Sequence, residues 1–181
     1  MNKTLFVASV LALAGLSSVA AAADNSWFVR GDVGSSNLSL NGFSGSSSQT
    51  SGGLGGGYYF TPNFAVEGFY NDLGTRNDGI GDSVKLDGWG VGLVLKKDFG
   101  PNNTGFFVDG RGGAFFNQTK VNVAGIGSTS DNSTKPYLGA GLGYDFNPTL
   151  GLSVNYDYTK FNAFGLSGHA GSVNGALEIR F

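Results

Sequence analysis

His169 is the single histidine of the chain and the one side chain suited to general-base work near neutral pH. It sits in "GHAGS", where the next hydroxyl, Ser172, follows three residues later. Three steps along an extended strand turn a side chain to the opposite face, so Ser172 and His169 cannot act as nucleophile and base. Cysteine is absent, and no close grouping of His, Asp and Glu offers a metal ligand set. Glycines recur at 53, 55 and 57, at 88, 90 and 92, and at 139, 141 and 143, without the G-x-G-x-x-G spacing or following helix that cradles a nucleotide. Catalytic residues, cofactors and metals are therefore not expected, and His169 reads as a solvated loop-edge residue.

A different chemistry is written in the ionised residues. Arg30, Asp32, Glu67, Asp109, Arg111, Asp145, Asp157, Glu178 and Arg180 each alternate with large apolar side chains. Where strand residues alternate in this way, all nine fall on one face and the apolar residues on the other. If the charged face is enclosed, its members must pair across strands, because a lone buried charge is costly. Glu178 is expected to meet Arg30, and Asp109 and Arg111 to join a network with Glu67 and Asp157. Such a network reads as a polar plug; the alternative is a gated ion path.

Eight segments carry the period of two. Trp27, Val29 and Val33 oppose Arg30, Asp32 and Gly34, and Leu54, Tyr58 and Phe60 oppose the 53–57 glycines and Tyr59. Phe64, Val66 and Tyr70 oppose Ala65 and Glu67, with Phe69 an apolar exception on the charged face. Trp89, Val91, Leu93 and Leu95 face away from Gly88, Gly90, Gly92 and Val94; Lys85 and Asp87 then fall on the apolar side unless a bulge intervenes. In the second half "FFVDGRGGAFF", "PYLGAGLGYDF", "LGLSVNYDY" and the closing "VNGALEIRF" repeat the pattern. Short connections at 61–63, 99–104 and 147–149 take turns with long ones near 35–50, 71–83, 117–134 and 160–170.

An even set of strands with short turns at one end and long loops at the other fits an all-β, eight-stranded antiparallel up-and-down transmembrane barrel. A lipocalin also has eight strands, but a soluble barrel hides its apolar face inside. Here the opposite face carries the charges and many of the glycines, and an eight-stranded interior is just wide enough to hold them. Trp27, Phe60, Phe64, Phe146 and Phe181 near the short turns, and Tyr70, Phe116, Tyr156 and Tyr158 near the long loops, form two girdles at the membrane interfaces. In a β-sandwich, the other reading of such aromatic strands, nothing would place them at both rims.

The chain's beginning supports export. Lys3, an apolar run from Leu5 to Leu16 and the Ala21-Ala22-Ala23 triplet read as a secretory signal peptide over 1–23, with cleavage after Ala23 or, as an alternative, Ala20. The remaining 158 residues, 181 − 23, make one domain over 24–181, and loss of Lys3 moves the net charge from −2 to −3. That balance lacks the basic patch needed for nucleic acid. With Cys 0 there is neither a lipidation site nor a disulfide staple, and 32 Gly beside 15 Phe and 7 Tyr suits tightly packed sheets.

Val173, Gly175, Leu177, Ile179 and Phe181 alternate into a terminal aromatic residue. This resembles the C-terminal signal read by the outer-membrane barrel assembly machinery. "KPYLGAGLGYDF" is similar to the glycine-rich strand of the OmpA-like, OmpX/Ail-like and opacity-protein families of small eight-stranded barrels, and the resemblance spans 24–181. It implies a monomer in the outer membrane of a Gram-negative cell, contacting lipid and lipopolysaccharide. It also implies a non-catalytic role in envelope integrity and in adhesion or host contact through the long loops; the alternative is a narrow conduit for ions or small hydrophobic molecules. OmpA-like proteins commonly continue into a peptidoglycan-binding domain; with Phe181 the last residue, that activity is not implied. Lipid A deacylases on comparable barrels carry His-x-Ser with a distant Glu, and here Gly171 stands at the serine position.

Overall fold

The computed structural model describes residues 25–40, 47–77, 83–123, 127–163 and 166–181. The 1–23 segment and the loop residues Phe43 and Ile126 lie outside them. Eight strands follow one another: β1 (Ser26–Leu40), β2 (Ser47–Thr61), β3 (Phe64–Asn77), β4 (Ser83–Asp98), β5 (Gly105–Val123), β6 (Gly127–Asp145), β7 (Leu150–Ala163) and β8 (Leu166–Arg180). Each pairs antiparallel with its sequence neighbour, and β8 pairs with β1, closing the barrel. Trp27 and Phe181 extend this closure with two reciprocal backbone hydrogen bonds of 2.9 Å.

The register fixes how steeply the strands tilt. Stepping from pair to pair, Ser26 leads through Tyr59, Ala65, Val94, Arg111, Gly139, Asp157 and Ser172 back to β1 at Ser36, a stagger of 36 − 26 = 10 residues. Closure with stagger requires tilted strands, typically by about 35–45°. One line of neighbours therefore winds up the wall, and it carries both Arg111 and Asp157.

The short turns have local causes. The carboxamide oxygen of Asn147 accepts from the backbone N–H of Thr149 and Leu150, both at 2.8 Å, reversing the chain between β6 and β7. Between β4 and β5, Asn102 and Asn103 take left-handed φ values of 53° and 54°, which asparagine tolerates better than most residues.

At the other end the expectation of long loops is corrected. Segments 35–50 and 117–134 are largely paired strand, running Ser35↔Thr50 to Leu38↔Ser47 and Asn117↔Ser133 to Val123↔Gly127. Their Ser, Thr and Asn content suggests loops by propensity, but ladder hydrogen bonds to a neighbouring strand override it. Lys85 and Asp87 do lie on the apolar side of β4. The register shift falls on β3 instead, between Asp72 and Thr75, where Gly74 at φ +98° donates its N–H to Asp72 Oδ1 at 2.9 Å.

Two faces result. Outward stand large exposed side chains such as Leu95, Leu138 and Leu142, each more than 60% exposed, a cost removed only by an apolar solvent. Trp27, Tyr58 and Phe60 form edge contacts at 5.1 Å near the short turns, as do Phe106 and Tyr144. Toward the opposite end Trp89 stacks on Phe116 with ring centroids 4.1 Å apart. Inside are two apolar clusters, one of Phe28, Tyr59, Ala65 and Val94, the other of Leu73, Leu86, Phe115, Tyr137 and Ala170 with Phe69 against it. Phe69, the apolar exception on the charged face, is thus a lumen residue.

Candidate functional site

The ionised residues meet in the lumen, which they fill in stages. Near the short turns the Arg180 guanidinium grips Asp145 with Nη1 and Nη2, each at 3.0 Å, and gives Nε–H to Glu178 Oε1 at 2.7 Å. Lys96 donates to Asp145, lies 3.0 Å from Asp98 Oδ1 and rests 4.3 Å above the Phe107 ring. The Tyr59 hydroxyl adds a 3.2 Å bond to Glu178.

Arg30 links this group to the next. It is the register partner of Glu178, with Nη1 3.8 Å from Oε2, but its closest carboxylate is Glu67, to which Nη2 donates. Tyr137 OH donates to the other Glu67 oxygen at 2.6 Å. Each oxygen of Glu67 thus has a partner, and the expected bond to Arg111 is not formed among the described residues: the strand position of Glu67 places it diagonally across β2 from Arg30. Further along, Arg111 forks Asp157 through Nε–H (2.8 Å) and Nη2–H (2.6 Å). Asn174 extends that pair, giving Nδ2–H to Asp157 at 3.4 Å and to Ser172 at 3.1 Å, and accepting from Ser51 at 2.8 Å.

Asp32 and Asp109 stand apart from these pairs. Asp32 lines a cavity of about 30 Å³ with Arg30, Asn71, Arg111 and Asp157. Asp109 lines a smaller one of about 10 Å³ with Arg30, Tyr59, Lys96 and Glu178, and its buried Oδ1 has no hydrogen-bond partner among the described residues. Each void is on the scale of a water molecule or two.

Lys96, Asp98, Tyr137 and Asn174 also belong to this interior, though the sequence did not single them out, and Tyr59 lies inside as its parity implied. Lys96 was legible: it shares the parity of the inward Val94. The partners of the Tyr59 and Tyr137 hydroxyls were not, since they depend on what faces each across the lumen.

The glycine series has a steric reason here. A Cβ on Gly139 would strike Asp157 Oδ1 and come 2.9 Å from Arg111 Nε, and one on Gly90 would meet the Phe69 ring. The inward glycines thus make room for Arg111, Phe69 and their like. His169 is exposed, its ring 5.9 Å from that of Tyr158, while Ser172 is buried in the lumen. Base and hydroxyl lie on opposite faces, and no metal-binding group of His, Cys, Asp or Glu occurs among the described residues.

A closed eight-stranded barrel with an apolar wall, aromatic rims and an ion-paired interior is the build of a bacterial outer-membrane barrel. The chain belongs to that class by sequence too: residues 8–181 match the family described as outer membrane protein beta-barrel domain, and the chain is a member of it. It is an outer-membrane, multi-pass β-barrel. Outer membrane protein A of Shigella flexneri is 29% identical over 198 residues, covering 100% of this chain and 56% of the relative. The chain thus spans about half the length of the curated relatives it matches. Among solved structures, Neisserial surface protein A superposes with a TM-score of 0.73 at 16% identity, over 86% of this chain and 97% of the other. Ail, the attachment invasion locus protein of Yersinia pestis, does so at 0.57 and 16%, over 86% and 99%.

Proposed function

We propose that this protein works at the cell surface through the outer ends of its strands, as a structural and adhesive barrel contacting host or other surface ligands and lipopolysaccharide. The observation that carries this reading is length. About 9–11 tilted residues cross the hydrocarbon, whereas β5 and β6 have 19 residues each. On β5 the lipid-facing set from Phe106 to Phe116 spans the membrane, so 117–123 and their β6 partners project beyond it. Because short turns face the periplasm, the projection is extracellular.

The projecting ends form two sheets. The β6–β7 ladder stops at Tyr137↔Thr159 and the β2–β3 ladder at Gly52↔Asp72, while β5–β6 and β1–β2 continue outward. Pairing fixes the backbone of these polar segments, which lowers the ordering cost of binding. A similar barrel, Ail of Yersinia pestis, has been solved with the heparin analogue sucrose octasulfate, which fits a surface-contact role.

The remaining expectations belong to the same reading. Residues 1–23 are the export signal, Val173, Gly175, Leu177, Ile179 and Phe181 the assembly signal, and the mature domain over 24–181 a monomer. The charged lumen is a plug that holds the wall rigid; apolar clusters and the Arg30–Glu67–Tyr137 bonds between its small cavities favour this over a conduit.

The register supplies the test. Joining Asn37 to Ser48 and Thr119 to Asp131 by tight turns removes 38–47 and 120–130 between paired residues. Folded trimmed protein should leave cells with reduced adherence and serum survival. Unchanged adherence with a folded barrel would refute the surface reading.

A further inference from the structure

The outer wall of β3–β6 is not uniform. Tyr70, Trp89, Phe116 and Thr134 lie side by side in register, and the next row outward is Asp72, Asp87, Gln118 and Asn132. All of these but Asp72 line a groove of about 470 Å³, within the usual range of about 300–1,000 Å³ for ligand pockets. Its floor is the stacked Trp89–Phe116 pair. Tyr70 OH donates to Asp87 Oδ2 at 2.9 Å, leaving Asp87 Oδ1 buried without a hydrogen bond among the described residues; Lys85 Nζ is 3.7 Å away.

Below this groove the wall carries a furrow. The outward positions of β5 are Gly110, Gly112 and Ala114, flanked in register by Leu95, Leu93 and Val91 on β4 and by Ala140, Leu138 and Pro136 on β6. Leu95 and Leu138 stand well out from the wall, and nothing lies within 4 Å of a Cβ built on Gly110, while over Gly112 the end of the Leu138 side chain, 2.9 Å from a built Cβ, narrows the trough. At ~3.4 Å per residue the trough is about 14 Å long. It runs straight up β5 into the groove.

From these features we infer that the groove and furrow form one site for an outer-leaflet glycolipid, with an acyl chain along Gly110–Ala114 and a sugar of the headgroup against Asp87, Gln118 and Thr134. This deepens the proposed contact with lipopolysaccharide and rests on that reading. Continuity with the lipid-facing band requires an amphiphile, and its place on the extracellular half selects the outer leaflet. The Gln118 and Asn132 amides and the Thr134 hydroxyl, beside the Tyr70–Asp87 hydrogen bond, match sugar hydroxyls and acylamide N–H groups.

Trp89 is a built-in reporter, because the other tryptophan, Trp27, lies at the opposite rim. In the full-length barrel in detergent, Trp27→Phe leaves Trp89 as the only emitter. Lipopolysaccharide should change its emission saturably, and phosphatidylethanolamine should not. Gly110→Leu, which fills the open end of the furrow, should raise the half-saturating concentration about tenfold; Gly112→Leu is the second variant should the first misfold, and Asp87→Asn should weaken the response without abolishing folding. An equal response to phosphatidylethanolamine, or one unaltered in the folded furrow variants, would overturn the site. The trimmed barrel retains the groove, so lost adherence and lost Trp89 response report on separate proposals.

Discussion

Arg111 and Asp157 form a two-pronged ion pair directly over Gly139, their common neighbour on β6. The strand between them has no side chain to interrupt the pair, so charges on β5 and β7 bond at 2.6 and 2.8 Å across an intervening strand. Removing one partner leaves the other charge enclosed. Arg111→Ala is expected to destabilise the barrel by about 3–5 kcal/mol, read by urea unfolding in detergent. Arg111→Met with Asp157→Leu should recover much of that loss; a double variant as unstable as the single one would mean that the pair's packing, rather than its charge, is what matters.

The same site predicts which glycines are replaceable. Gly139→Val pushes a side chain into the pair and should cost about 1–3 kcal/mol. Gly110→Ala on the outer wall, with open space around its Cβ, should stay within about 0.5 kcal/mol. Thermal midpoints by heat-modifiable gel mobility would rank them, and equal losses would show that lumen packing is not what selects glycine.

Lipid contact can be tested on β6. Leu142 is 65% exposed on the outer wall. Leu142→Arg should destabilise the folded barrel in bilayers by up to about 2–4 kcal/mol, depending on depth, while Asn155→Asp in the lumen acts by burying a further carboxylate near Asp109 instead. A Leu142→Arg barrel as stable as the parent would place that position outside the hydrocarbon.

The plug makes a prediction for current. Arg30 borders both interior voids and bonds Glu67 between them. In planar bilayers the parent should show no steady conductance, and Arg30→Ala with Tyr137→Ala should open resolvable steps by joining the voids. Steady steps in the parent would favour the conduit.

Closure makes the last. Phe181 exchanges two 2.9 Å hydrogen bonds with Trp27 and is half exposed at the rim. Phe181→Ala keeps the backbone bonds but removes the ring, so assembly in cells should slow while the stability of assembled barrel changes little. Unaltered assembly would remove Phe181 from the signal.

Much of this architecture was written in the alternation itself. A period of two assigns each residue of a strand to one face, so Trp27 against Arg30, Leu138 against Gly139 and Tyr156 against Asp157 already implied an apolar outside and a charged inside. The pairing of Glu178 with Arg30 followed from closure, since β8 must meet β1. Strand ends were less legible: Ser, Thr and Asn mark loops by propensity, and only a neighbouring ladder reveals that 117–123 is strand.

The tertiary structure alone decided which charges meet. Parity gives a face but not an angle around the barrel, and the ten-residue stagger sets that angle. It winds Arg111, Gly139 and Asp157 onto one line and sends Glu67 to Arg30 and Tyr137, although the sequence grouped it with Arg111. It also brings Tyr70, Trp89, Phe116 and Thr134 abreast from four separate strands. The sequence by itself determined that this chain turns an apolar wall to lipid; the stagger determined what that wall and its interior can hold.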